Sequence, residues 1–332
     1  MTNAKDALLS VENLRLEIDV NGVWTPVVED VSFEVRQGET LGLVGESGSG
    51  KSVSAMSLMG FMGRQRGQRV SGTATFQGRD LLRLNDRELE SMRGNDIAMV
   101  FQEPMTSLDP AFKVGNQIAA GIRVHQDVTA SKAKEMAIEA MDKVRIPNAR
   151  VRADNYPHEF SGGMRQRVLI AMAIANNPSM LIADEPTTAL DVSVQAQILT
   201  LLTEMKEDLG LAMIFITHNM GVVADICDRL AVMYAGQIVE EGDVFETFAA
   251  PQHPYTDRLL AAMPRITGPR GSLEWIPGSP PRPTDFSAGC RFAPRCRHRL
   301  ESCERPTTLL EISPGRSNRC LRGTTWMEER ES

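Results

Sequence analysis

The stretch Gly45-Glu46-Ser47-Gly48-Ser49-Gly50-Lys51-Ser52 has the residue types and spacing of a phosphate cradle, G-x-x-x-x-G-K-S. Glycines let the backbone pass close to phosphate and turn its N–H groups inward, and a helix opening at the end of the loop adds its positive pole. Lys51 is then placed for the β- and γ-phosphates of a nucleoside triphosphate, and the Ser52 hydroxyl for Mg²⁺. Downstream residues narrow the chemistry. Met180-Leu-Ile-Ala-Asp184-Glu185 is an apolar run ending in two carboxylates. Asp184 would bind Mg²⁺, directly or through water, and Glu185 would polarise an attacking water as general base. A single histidine, His218, closes another apolar run, Met213–Thr217. The plainer readings are a chance glycine-rich turn, two acids capping a strand and a structural histidine. The order and flanks of the three segments argue against each.

Such residues need a scaffold, and the apolar pattern supplies one. Leu41–Gly45 reads as a buried strand meeting the glycine loop, and Ile97–Phe101, Met180–Ala183 and Ala212–Ile216 as further short buried strands. Between Leu108 and Pro157, the residues Ala133, Met136, Ala137, Ala140, Met141 and Val144 recur at helical spacing, which predicts an amphipathic helix in a mostly helical insert. Near the N-terminus, Leu14, Leu16, Ile18 and Val20 alternate with Arg15, Glu17 and Asp19, the pattern of a half-buried strand. The expectation is a parallel-sheet nucleotide core with a helical insert and an appended C-terminal module.

Composition sets the outer bounds. A chain of 332 residues that is 42% hydrophobic, 24% charged and 5% aromatic is ordinary globular protein, not a disordered, collagen-like or disulfide-dense chain. A net charge of −7 argues against a nucleic-acid trap. Apolar stretches such as Val168–Ala175 are far shorter than the roughly 18–20 residues of a membrane span. The opening Met1–Asp6 has no apolar core of a signal peptide. A soluble cytoplasmic chain is expected; if it works at a membrane, another subunit supplies the pore. Composition shifts sharply near Pro251. Residues 251–332 hold 11 of the 18 prolines and no lysine, and carry +4 against −11 for the first 250. That predicts a domain boundary, with 1–250 as the nucleotide-binding domain (helical insert about 103–165) and 251–332 as a C-terminal module.

The segment Phe160-Ser161-Gly162-Gly163-Met164-Arg165-Gln166-Arg167 resembles the signature motif of ABC-transporter ATPases, and residues from about 10 to 245 follow that family's motif order. Gln102 resembles the Q-loop glutamine, a catalytic and Mg²⁺-binding position; Ala189-Leu190-Asp191 resembles the D-loop, and His218 the switch histidine. Met164 departs from the glutamine many members carry, while the Ser161-Gly162-Gly163 core is kept. Trp24 is the candidate for the family's base-stacking aromatic; a tryptophan packed on a hairpin surface is the alternative. The resemblance implies an α/β fold, a P-loop NTPase (ABC ATPase) core with an antiparallel β subdomain and helical insert. It also implies two nucleotide domains facing head to tail, the signature of one closing over ATP held by the other. Glu103–Leu108, after Gln102, is then the expected coupling surface for membrane subunits.

The tail narrows the family. His253-Pro254-Tyr255-Thr256 and the cysteines beyond it resemble the C-terminal region of the oligopeptide/dipeptide importer branch. Implied partners are a second ABC ATPase subunit (a paralogue), two transmembrane permeases and an extracytoplasmic substrate-binding protein, with the chain peripheral on the cytoplasmic face of the inner membrane. Cys290, Cys296, Cys303 and Cys320 are spaced C-x5-C-x6-C-x16-C. In a cytosolic chain this favours metal over disulfide, and it fits neither close pair of a zinc ribbon. Wide, proline-interrupted spacing suits a larger cluster, and similar tails in this branch are associated with a 4Fe–4S cluster. Zinc, and unligated or paired thiols, stay open. Arg291, Arg295, Arg297 and Arg299 are expected to lower the thiol pKa values. Read as a nucleic-acid surface, this segment has too few aromatics, Phe286 and Phe292 alone being near. Cys227 reads as a core cysteine. Alternatives to a transport ATPase are a soluble ABC ATPase of DNA repair or translation, or a redox- or metal-sensing ATPase regulated through the tail.

Overall fold

The computed structural model describes residues 7–102, 107–188, 190–263, 275–323 and 325–328. They form two compact units. The first comprises the described residues up to 36, then 40–83, then those from 216 onward; the second comprises 37–39 and 84–215.

In the first unit, β1 (Ala7–Val20) and β2 (Val23–Arg36) are joined by a two-residue hairpin turn. Asn21 (φ 55°) and Gly22 (φ 85°) take the left-handed conformations that match strand twist in such turns. β4 (Gln68–Phe76) and β5 (Arg79–Asp80) complete an antiparallel sheet in the order β2-β1-β4-β5. The alternation read from Leu14 to Val20 is part of β1, whose Leu14 and Leu16 are fully buried. A second group starts with β3 (Thr40–Val44), buried at every position and followed by the phosphate loop and α1 (Lys51–Leu58). β9 (Arg229–Tyr234) runs parallel to β3, and β10 (Gln237–Asp243) pairs antiparallel with β9. The tail then adds to this sheet: β12 (Arg316–Asn318) pairs with β10, and β11 (Leu310–Ser313) with β12. Cys227 is a core residue as expected. A Cβ at Gly42 of β3 would meet its sulfur at 2.9 Å, so glycine here lets helix and strand close together.

In the second unit, β6 (Ile97–Val100) and β7 (Met180–Asp184) are parallel, with β8 (Ala212–Thr217) on the other side of β7. Around them lie α2 (Asp86–Met92), α3 (Val114–His125), α4 (Ala130–Lys143), α5 (Ala149–Arg152), α6 (Gly162–Ile174) and α7 (Val192–Leu209). The predicted amphipathic helix is α4, capped by the Thr129 side chain and burying Ala133, Ala137, Ala140 and Met141, with Val144 at its C-cap. Ile138 is buried as well, and Met136 is half-buried, so the buried face is rotated slightly from the one read in the sequence.

Candidate functional site

The phosphate loop is built around its own lysine. The Lys51 ammonium is buried and donates to the carbonyl oxygens of Gly45 (2.8 Å) and Glu46 (2.9 Å). Gly45 has φ 150°, and a Cβ there would lie 2.1 Å from the Met233 carbonyl oxygen, so only glycine allows the loop to lie against β9. Gly50, at φ 107°, is the N-cap of α1. The Gly236 N–H donates to the Ser49 carbonyl, tying the far side of the loop to the β9–β10 turn. Gly48 (φ 77°) completes the glycine set, and Ser47 and Ser52 complete the segment. Glu46 is held twice: its N–H donates to the Tyr255 hydroxyl at 2.9 Å, and its carboxylate accepts from Arg295.

In the second unit the two carboxylates end β7. Asp184 is buried and Glu185 follows with φ 45°, an uncommon conformation for a residue with a side chain. The Glu185 carboxylate accepts hydrogen bonds from Gln102 Nε2 (3.1 Å) and Thr188 Oγ1 (2.8 Å). The structure thus brings Gln102 and Glu185, both expected to be catalytic, within hydrogen-bond distance. Thr188 was missed, because nothing in its local sequence distinguishes it from a turn threonine. Ser161 caps α6 by accepting the Met164 N–H at 3.4 Å. Gly162 and Gly163 follow, and a Cβ on Gly163 would meet Val194 Cγ1 at 2.4 Å. That packing of α6 on α7 is a structural reason for the second glycine of the signature. Asp191 caps α7, accepting from the Val194 N–H (2.9 Å) and the Ser193 hydroxyl (2.6 Å). Its carboxyl is held below the usual range by the Ser193 hydroxyl first and the Val194 N–H second.

His218, back in the first unit, is exposed just beyond β8. Trp24, also in the first unit, is the second residue of β2, is 40% exposed and carries the Arg69 guanidinium 4.4 Å over its ring. Of the expected coupling surface, Glu103, Pro104, Met105 and Thr106 lie outside the described residues, as does Ala189 of the D-loop segment.

All four tail cysteines line one cavity, with His253, Phe292 and His298, and all four are free thiols. Among the described residues no three His, Cys, Asp or Glu are spaced to hold a single metal ion. Burial pushes the Cys290 and Cys320 thiols up to about 11, with the neighbouring cysteines adding to the rise, and it raises Cys296 as well. Arg297 does lower Cys296, as expected of the flanking arginines, but the net shift of these thiols is upward, which corrects the expected direction. Arg291 turns away to the Ala235 carbonyl and Glu29, and Arg295 to Glu46, so burial dominates. The His253-Pro254-Tyr255 segment has its own anchor. Buried Glu240 accepts the N–H groups of Gln252 (2.7 Å) and His253 (2.8 Å). His253 is fully enclosed; burial, with a smaller contribution from Arg319, holds it down to about 3, and its Nδ1 accepts the Tyr255 N–H.

A phosphate loop after a buried strand, paired carboxylates after another and a capped Ser-Gly-Gly helix define a class of nucleotide-hydrolysing cassette, and the comparisons place the chain within it. Residues 28–188 match the family model described as ABC transporter, and residues 239–303 the one described as oligopeptide/dipeptide transporter, C-terminal region. The chain is 48% identical over 317 residues to the oligopeptide transport ATP-binding protein OppD of Escherichia coli (strain K12), covering 96% of this chain and 94% of that one. It is 48% identical over 313 residues to a protein of Brucella abortus (strain 2308) carried under the name peptide import ATP-binding protein, covering 94% of each. The ATP-binding cassette MJ0796, solved as a dimer with ADP and Pi, is alike in fold, with a TM-score of 0.63 at 24% identity over 71% of this chain and 98% of that one. The chain belongs to the ABC transporter ATP-binding family, and it is an ATPase of that family.

Proposed function

We propose that the chain is the ATP-hydrolysing subunit of a peptide importer, peripheral on the cytoplasmic face of the inner membrane and working with two permeases and an extracytoplasmic binding protein. The carrying observation is the Glu185 carboxylate held by Gln102 and Thr188 directly after the buried strand that ends in Asp184. The two-part match, cassette and importer-type tail in one chain, favours transport over a repair or translation ATPase. Among the described residues no helix is long and apolar enough to cross a membrane, which suits a chain that borrows its pore. The division into a nucleotide-binding domain (1–250) and a C-terminal module (251–332) remains our reading of the composition. So do a paralogous ATPase as the partner and Trp24 as the base-stacking aromatic.

In this reading Lys51 and the loop N–H groups from Gly45 to Ser52 bind the polyphosphate. Ser52, Gln102 and Asp184 are the hard oxygen donors that suit Mg²⁺, which when bound neutralises phosphate charge. Glu185 takes the proton of the attacking water, His218 steadies the γ-phosphate, and Ser161–Gly163 and Asp191 serve the partner's nucleotide. Replacing Glu185 by Gln spares the cradle and removes the base. Turnover should fall by roughly 10²–10⁴-fold with ATP binding intact, and turnover within threefold of wild type would sink the role.

We also infer that Cys290, Cys296, Cys303 and Cys320 hold a 4Fe–4S cluster, with zinc the lesser alternative. Four thiols around one enclosed cavity fit a donor set of thiolates. A single zinc would need all its sulfurs at about 2.3 Å from one point, and the spacing of the described residues does not favour that. Such a cluster supplies a covalent cross-link between segments of the tail and a reduction potential. Anaerobic purification should give about four irons and four sulfides per chain, lost in Cys296→Ser. About one zinc per chain, or no metal, would reject it.

A further inference from the structure

Glu46 is an odd residue for its place. The loop from Gly45 to Ser52 offers N–H groups to a polyanion, yet it carries a carboxylate as its second residue. Left ionised and unneutralised beside phosphate, that charge opposes binding. The tail supplies the counter-charge. Arg295 approaches Glu46 as a fork, with Nη1 at 2.7 Å from Oε2 and Nη2 at 3.0 Å from Oε1. Two parallel bonds of this kind fix orientation as well as charge.

The arginine is itself anchored. Its side chain is only 5% exposed. Nε donates to the Pro277 carbonyl at 2.8 Å, and Nη2 to the Ile276 and Gly278 carbonyls at 3.3 and 3.2 Å. Burial works against its charge, and the Glu46 carboxylate and Tyr234 hydroxyl more than offset that, so the guanidinium stays protonated. The main chain of Glu46 is held from the same side, because its N–H donates to the buried Tyr255 hydroxyl. Tyr255 packs on Tyr234 and Phe292 with ring centroids 4.6 and 5.3 Å away, so its hydroxyl has little freedom. A second guanidinium reaches the other end of the loop indirectly. Arg291 Nη1 donates to the Ala235 carbonyl at 2.6 Å, and the next residue, Gly236, donates to the Ser49 carbonyl at 2.8 Å.

We propose that Arg295 and Tyr255 are positioning residues for the phosphate loop: the tail neutralises and orients Glu46, and so sets the loop's affinity for a nucleoside triphosphate. The inference rests on the loop being the ATP site and adds a determinant of its affinity that lies 249 residues away in the chain. It also gives the arginines beside Cys290 and Cys296 a task other than tuning the thiols.

The test is titration of the full-length chain with Mg²⁺ and a fluorescent ATP analogue, with thermal melting run alongside. Arg295→Gln should weaken binding about tenfold, equivalent to ~1.4 kcal/mol, because it leaves the Glu46 charge uncompensated within the loop. The double variant Arg295→Gln with Glu46→Gln should recover to within about threefold of wild type, since the offending charge is gone. A tail that merely needs Arg295 to fold would gain nothing from the second change. Binding by Arg295→Gln within twofold of wild type overturns the proposal, and so does a double variant as weak as the single one. Should Arg295→Gln fail to melt cooperatively, Tyr255→Phe carries the test. It should weaken binding about threefold at an unchanged fold, and equal affinity overturns the proposal. Absence of binding by the wild type would instead overturn the reading of the loop as a nucleotide site.

Discussion

The phosphate loop and the loop after β7 both follow a fully buried parallel strand, yet they are held in different ways. The phosphate loop is fixed by buried partners: its own lysine, the Met233 carbonyl beneath Gly45, and two side chains from the tail. Glu185 has a left-handed backbone and accepts side-chain bonds from exposed Gln102 and from Thr188. A prebuilt cradle gives affinity without reorganisation, whereas a residue held in part by an exposed side chain can be set or released by a small movement. On the proposed roles, binding and hydrolysis should therefore be separable by substitution.

The largest expected effect is at Gly45. Alanine there places a methyl carbon against the Met233 carbonyl, so nucleotide affinity measured by titration should fall by roughly 100-fold or more. A loss under threefold would mean that the loop yields and that the contrast with Glu185 is false. Thr188→Val comes next. It removes the Thr188 hydroxyl's bond to Glu185, so turnover should fall about three- to tenfold with nucleotide affinity unchanged. Affinity falling in step with turnover would join the two regions into one. The smallest effect is at Asp191, whose carboxyl is held below its ordinary value in the fold. Its contribution is then present above the usual carboxylate range and fades as pH falls through the folded value. Asp191→Asn keeps an acceptor that does not titrate. As pH falls from about 6 to about 3 the Tm of the wild type should decline relative to that of the variant. Parallel Tm curves would deny Asp191 a charged capping role.

What the sequence made legible was local. The phosphate loop, the acids after β7 and the amphipathic α4 all announce themselves within a dozen or so residues, because spacing and periodicity are local properties. What it hid were contacts between distant residues. Gly163 meets Val194, Arg295 meets Glu46, and the Gln252 and His253 N–H groups meet Glu240; no pattern within either partner's neighbourhood marks these pairs. The arginines around the cysteines show the same limit. Their number suggested an effect on the thiols, but where a long side chain ends depends on the fold, and two of them end on acids of the N-terminal half.

The tail's hold on the first unit also bears on how the protein is made. Arg319 donates to the Asp30 carboxylate and carbonyl, and the Trp326 indole to the Gln252 carbonyl. Strands near the start of the chain are thus tied to residues of the tail, while the second unit is made of residues 84–215 with Gln37–Glu39. On the ribosome the second unit can form during elongation, and the unit that carries the phosphate loop only after most of the chain has emerged. A chain arrested before Arg319 should resist protease across 84–215 and be cut within β1 and β2. The order of synthesis would then leave the tail's contacts with Glu46 and Asp30 unmade until Arg295 and Arg319 have emerged.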